Sequence, residues 1–107
     1  TDDLNDKLRI GSKEFSFDRV FGTTSEQGNV FEICSRNLVL GTFAGYNATI
    51  LAYGQTGSGK THTMGTGSTV GLPESQIGIV PRVFGFIFDE LDNRKKQNAA
   101  NEYSVKV

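Results

Sequence analysis

The sequence is poor in the residues that carry covalent and redox chemistry. Its 107 residues include one cysteine, one histidine, one methionine and no tryptophan. The lone Cys34 forms no internal disulfide, and its place in an apolar helical pattern makes it a small core residue rather than a reactive thiol. A reducing, intracellular setting is therefore expected. With His62 as the single histidine, neither a Ser-His-Asp triad nor a zinc cluster can be assembled. Neither sign of charge is in excess, with 11 Lys and Arg against 12 Asp and Glu. That balance argues against a bulk electrostatic grip on nucleic acid or on an anionic membrane. No apolar run approaches the ~18 residues of a membrane span, and the opening TDDLNDK lacks the basic-then-apolar order of a signal peptide. The length allows one domain at most. Proline is scarce, at two residues, but glycine is abundant, at 13. No triplet spacing accompanies it, so collagen is excluded. Six glycines, Gly54, Gly57, Gly59, Gly65, Gly67 and Gly71, crowd into one short stretch.

Around that stretch the chain alternates between strand and helix signals. Leu8 and Ile10 precede Gly11-Ser12, and Phe15 and Phe17 follow, which predicts a hairpin closed by a type II′ turn. Thr24 to Gln27 offers a capping box, with Thr24 as the cap and Gln27 as its partner. Val30, Ile33, Cys34, Asn37, Leu38 and Leu40 then predict an amphipathic helix over 25–43. Residues 48–53, ATILAY, form a short apolar run suited to a strand buried on both faces. Residues 60–64 start a helix, and 65–78 form a loop rich in glycine. Pro81 suits a first helical position, and Val80, Val83, Phe84, Ile87, Phe88 and Leu91 fall on one helical face. Residues 92–101 are polar and predict a connector, and Tyr103, Val105 and Val107 predict the start of a further strand.

Gly54-Gln55-Thr56-Gly57-Ser58-Gly59-Lys60-Thr61 fits G-x-x-x-x-G-K-[ST] in full. Glycines let the backbone N–H groups of such a loop approach and surround phosphate oxygens. The helix that follows turns its unpaired N–H groups toward the same anion. Lys60 supplies a mobile positive charge to the β- and γ-phosphates, which makes it the candidate catalytic residue, and the Thr61 hydroxyl is the expected Mg²⁺ ligand. A dinucleotide site is disfavoured, because the third glycine of G-x-G-x-x-G is missing after Gly57 and Gly59. Asp89, at the end of Phe86-Ile87-Phe88, is a tempting second Mg²⁺ group. The helical spacing of its neighbours places it on a solvated face instead. Chemistry leaves two readings of His62 open: its ring stacks on a nucleotide base, or it is a partly exposed helix histidine.

Three segments resemble one known family. Phe15 to Phe21, FSFDRVF, is similar to the F-x-F-D-x-V-F strand of kinesin motor domains. Gly45 to Met64, GYNATILAYGQTGSGKTHTM, resembles the kinesin phosphate-loop signature, and Gly78 to Arg82, GIVPR, resembles the G-I-[IV]-P-R that restarts its second helix. Met64-Gly65-Thr66-Gly67 and the longer loop after it resemble the kinesin-4 group. The resemblance runs from about residue 7 to Val107. It implies an α/β fold of the P-loop NTPase kinesin-motor type, a mixed central sheet flanked by helices, of which residues 1–107 form the N-terminal part. It further implies ATP or ADP with Mg²⁺ as cofactors. Gly54, Gln55, Thr56, Gly57, Ser58, Gly59, Lys60 and Thr61 would wrap the phosphates, Thr61 would bind the metal, and His62 would stack on adenine.

The family's adenine-contacting R-x-x-P and its switch motifs, N-x-x-S-S-R-S-H and D-L-A-G-S-E, are not among these residues and are expected in flanking sequence. The expected protein is an ATPase that moves along microtubules in the cytoplasm and on the cytoskeleton. Tubulin contact and a dimerising stalk are expected outside this segment, and no nucleic acid or membrane partner is expected. A nucleotide-binding or regulatory module without turnover, or an unrelated P-loop NTPase, are the alternatives. The segment alone is expected to be inactive and aggregation-prone, because its strands lack partners.

Overall fold

In the computed structural model of the chain, residues 6–98 and 102–106 are described. The initial alternation closes as an antiparallel hairpin of β1 (Lys7–Ile10) and β2 (Lys13–Ser16), with Leu8 opposite Phe15 and Ile10 opposite Lys13. Gly11 takes φ 62° while Ser12 keeps a negative φ, as the predicted type II′ turn requires. The Phe17 N–H extends the ladder by donating to the Asp6 carbonyl at 2.6 Å. Glu14 pairs with Lys7 at 3.7 Å and Arg9 at 3.4 Å. These pairs are exposed and add little stability.

Helix α1 occupies residues 27–43, near the expected 25–43, as Gln27–Val30, a π-helical turn at Phe31–Ser35, and Arg36–Phe43. Its start and its buried face both differ from the sequence reading. Glu26, not Thr24, caps it, and the Glu26 N–H donates to Asn29 Oδ1 at 2.8 Å. Gln27 is freed from any capping task and turns inward. The buried residues are Gln27, Phe31, Ser35 and Val39, spaced by four, whereas Ile33, Cys34 and Leu38 are exposed. In a regular α-helix a spacing of four drifts by roughly 40° per step, because 3.6 residues complete a turn. The wider π-helical turn takes up that drift and keeps the stripe pointing one way.

That stripe faces helix α3. Helix α2 (Lys60–Met64) follows the glycine-rich turn, a 3₁₀ turn spans Glu74–Gln76, and α3 runs Ile79–Gln97. The polar connector expected from residue 92 is therefore helical as far as Gln97. Pro81 sits third in α3, still within the first turn, where no N–H has an intrahelical partner. Phe31 meets Phe86 edge-on, with ring centroids 5.9 Å apart. Arg36 lies 5.6 Å from the Phe86 ring, and Arg94 lies 4.6 Å from the Phe43 ring while pairing with Glu90 at 3.1 Å. Such cation–π contacts add about 0.5–1 kcal/mol each at exposed sites.

The ATILAY segment departs most from expectation. Residues 48–53 are extended but belong to no strand, and Leu51 and Tyr53 are 85% and 97% exposed. Burial nonetheless alternates: Ile50 and Ala52 are half-buried, while Thr49, Leu51 and Tyr53 are open. One face of the segment thus rests on the helix layer and the other is bare. A buried strand needs hydrogen-bonded neighbours on both sides and cover on both faces. Among the described residues the only sheet is the hairpin, so the mixed central sheet is not assembled within this segment. Residues 102–106 likewise form no strand, and Val107 lies outside the described residues.

The hydrophobic core is accordingly small. Among the described residues it comprises Val20, Phe31, Val39, Ile79 and Leu91. The radius of gyration is 16.5 Å, against about 13 Å for a compact chain of this length. Leu38, Ile50, Val83, Phe84 and Ile87 line an apolar groove of about 280 Å³ between α1, the extended segment and α3.

Candidate phosphate-binding site

The glycine-rich turn links the extended segment to α2. Within it the Ser58 N–H donates to the Gln55 carbonyl at 3.2 Å, and Gly57 and Gly59 adopt φ 79° and 98°. A residue with a Cβ is strained in this left-handed region. Gly59 is the residue from which α2 starts, and no side chain caps that start. The first N–H groups of α2 are therefore available to an anion. With only five residues, α2 contributes through these local N–H groups more than through a macrodipole.

Lys60 and Thr61 occupy the first turn of α2, so both side chains start beside those N–H groups. Thr61 is exposed and Lys60 half-buried, and among the described residues no carboxylate pairs with Lys60. Gln55, Thr56 and Ser58 are exposed around the turn. The Ser58 side chain folds over Gly54, where a Cβ would lie 2.6 Å from its Oγ. The arrangement provides uncapped backbone donors, one cation and one hydroxyl at a single helix start, a donor set that fits a polyphosphate with its metal. Magnesium keeps several waters and takes phosphate oxygens and one or two carboxylates as ligands, so the Thr61 hydroxyl would be one ligand among several. Among the described residues no cluster of His, Cys, Asp or Glu could hold a metal on its own. Asp89 is exposed on α3, as the sequence reading required.

His62 is exposed and, with Thr61, walls a cavity of about 270 Å³ that the loop residues Ser68, Thr69 and Leu72 close from the other side. His62 thus lines a concavity directly after the glycine-rich turn.

Several residues around this site escaped the sequence reading. Gly65 and Gly78 bring the ends of α2 and α3 into backbone contact: a Cβ on Gly78 would lie 2.4 Å from the Gly65 nitrogen, and one on Gly65 would lie 2.8 Å from the Gly78 Cα. They form the neck of the loop at 66–77. Gln27 Nε2 donates to the His62 carbonyl at 2.7 Å and to the Gln76 carbonyl at 3.4 Å. Arg82 donates to the Ile77 carbonyl through Nε at 2.8 Å and to the Glu74 carbonyl through Nη2 at 2.7 Å. The available signals were weak. Gln27 begins the four-residue stripe, and Arg82 follows the proline of GIVPR.

Cys34 is at the surface and not in the core. Partial burial of its sulfur still raises the thiol above its ordinary value, against a smaller lowering by Arg19. It is a protonated, weakly nucleophilic group at neutral pH.

Comparison with known proteins shows what the chain is similar to. A family model described as "Kinesin motor domain" matches residues 1–107. Kinesin-related protein 8 of Dictyostelium discoideum is 55% identical over 84 residues, which cover 78% of this chain and 4% of that protein. Kinesin-like protein KIN-4A of Gossypium hirsutum is 53% identical over 91 residues, 85% of this chain and 8% of that protein. Among solved structures, Drosophila NOD in complex with divalent manganese and ADP superposes with a TM-score of 0.81 at 34% identity, over 87% of this chain and 32% of NOD's. A second NOD structure, nucleotide-free and complexed to the microtubule, gives the same TM-score of 0.81. The chain thus spans a small fraction of its curated relatives and about a third of the matched motor structures.

Proposed function

The chain belongs to the kinesin motor-domain family, and on that premise we propose that it is the nucleotide-binding part of a motor that hydrolyses ATP and moves along microtubules. The carrying observation is the turn from Gly54 to Thr61, whose positive-φ glycines lead into an uncapped helix start with Lys60 and Thr61 in its first turn. Lys60 draws the β- and γ-phosphates into register and offsets charge that builds on them. The Thr61 hydroxyl would hold Mg²⁺, which would neutralise phosphate charge when bound. His62 offers its ring to the base, beside the cavity that it walls. NOD's complexes with manganese and ADP and with a microtubule support the cofactor class and the track.

Tubulin contact and dimerisation through a stalk belong to parts outside residues 1–107, and the setting is the cytoplasm and its microtubule cytoskeleton. The similarity to KIN-4A supports a kinesin-4-like motor. The test is microtubule-stimulated ATPase activity of the full chain carrying this segment, with and without Lys60→Ala. Loss of one such electrostatic group lowers turnover by about a hundredfold or more. Equal activities would sink the assignment of Lys60. Retained nucleotide binding with no turnover by the unsubstituted chain would favour a regulatory module.

A further inference from the structure

The residue that ties the phosphate turn to the loop at 66–77 lies in neither. Gln27, on the first turn of α1, is 8% exposed, far below what a polar residue near a helix start usually shows. Its amide nitrogen carries two hydrogens, and both have a carbonyl within reach. One is His62 O at 2.7 Å, on the last turn of α2, and the other is Gln76 O at 3.4 Å, at the end of the loop. The carbonyls of a helix's last turn lack intrahelical donors, and at Gly65 the chain leaves α2 in a left-handed conformation. Gln27 thus supplies the His62 carbonyl with the bond that helix continuation would have given. Gly78 packs against the same carbonyl, at 2.8 Å from where its Cβ would be. Arg82 fixes the rest of the loop's end through the Ile77 and Glu74 carbonyls. Its guanidinium lies beside Gly28, the neighbour of Gln27, where a Cβ would stand 3.8 Å away.

We propose that Gln27 is a positioning residue whose single amide sets the His62 backbone and the end of the 66–77 loop together, so that base recognition and loop position are coupled. The proposal rests on the nucleotide-binding reading above. Glutamine is required because the contact needs two donors facing two carbonyls. A carboxylate at the same place has no hydrogen to give and repels both oxygens.

The experiment uses the full chain carrying this segment, with Gln27→Met, Gln27→Glu and His62→Ala, and measures equilibrium binding of ATP and of inorganic tripolyphosphate. The expected result is a roughly fivefold to twentyfold loss of ATP affinity in both Gln27 variants, the loss typical of one or two buried hydrogen bonds. Tripolyphosphate affinity is expected to stay unchanged, and Gln27→Met is expected to cost nothing further in the His62→Ala background. Wild-type ATP affinity in a folded Gln27 variant overturns the proposal. So do equal losses for ATP and tripolyphosphate, which indicate general loosening of the phosphate turn. If the unsubstituted chain binds neither ligand, the nucleotide-binding reading fails, and this inference with it. Hydrogen exchange of the unsubstituted chain covers the case in which both Gln27 variants fail to fold. ATP is then expected to protect residues 74–78 as well as 54–62, and protection confined to 54–62 overturns the coupling.

Discussion

The bare segment at 48–53 is more apolar in sequence than the packed pair of α1 and α3, yet the pair forms a core and the segment is exposed. A helix satisfies its backbone within itself and needs only one apolar neighbour. Phe31 against Phe86 and the buried Val39, Ile79 and Leu91 provide that. An extended segment has no such self-sufficiency. Ile50 and Ala52 find the helix layer, but Leu51 and Tyr53 need a second layer and flanking strands, and the described residues supply neither. The segment therefore has the alternating burial of a strand without its ladder.

The largest expected effect lies at the loop neck, where the end of α2 meets the start of α3 on the packed side. Gly78→Ala would place a Cβ 2.4 Å from the Gly65 nitrogen and 2.5 Å from its Cα, both backbone atoms that cannot rotate away. The ends of α2 and α3 would have to separate, breaking the Gln27 bridge as well. We expect a loss of about 3 kcal/mol, at the upper end of overpacking penalties, read by denaturant unfolding of the full chain. A loss below about 0.5 kcal/mol would show that the neck opens freely and that the clasp is not a constraint.

A pair of truncations sharpens the contrast itself. In the 107-residue segment, Phe31→Ala removes a ring that is 7% exposed and is expected to cost about 3 kcal/mol. Leu51→Ala, at 85% exposure, is expected to change stability by less than about 0.5 kcal/mol. In the full chain the second substitution should rise toward the cost of the first, because the missing layer then covers Leu51. Thermal unfolding of these variants beside their unsubstituted parents decides this, and an equally small Leu51 effect in both contexts would show that the segment stays bare.

These differences explain what the sequence made legible. The conformation of the glycine-rich turn could be read from the sequence because it is local: Gly57 and Gly59 take positive φ, and Lys60 and Thr61 fall in the first helical turn that follows. The hairpin was legible for the same reason, with Gly11 setting its turn. The strand over 48–53 was not, because the described residues offer it no hydrogen-bonded neighbour. The face of α1 was misread for a subtler reason. Val30, Ile33, Cys34 and Leu38 follow a regular helical period, but the π-helical turn at Phe31–Ser35 rotates the helix so that Phe31, Ser35 and Val39 are buried instead. Polarity concealed Gln27 and Ser35, the two buried members of that stripe that no hydrophobic pattern would select.

Ser35 gives a modest effect and a direct probe of that rotation. It is fully buried at 0% exposure, and its Oγ has no hydrogen-bond partner among the described residues. Its value at this position is its size, which lets the π-helical turn approach α3 near the Phe31–Phe86 contact. An unsatisfied buried hydroxyl costs about 1–3 kcal/mol, and alanine fills almost the same volume without that cost. Ser35→Ala should therefore leave the fold unchanged and raise stability by roughly 1 kcal/mol, seen as an increase in Tm. A decrease in Tm would mean that the hydroxyl finds a partner once the rest of the motor is in place. The buried stripe would then be built around a polar contact rather than around close packing.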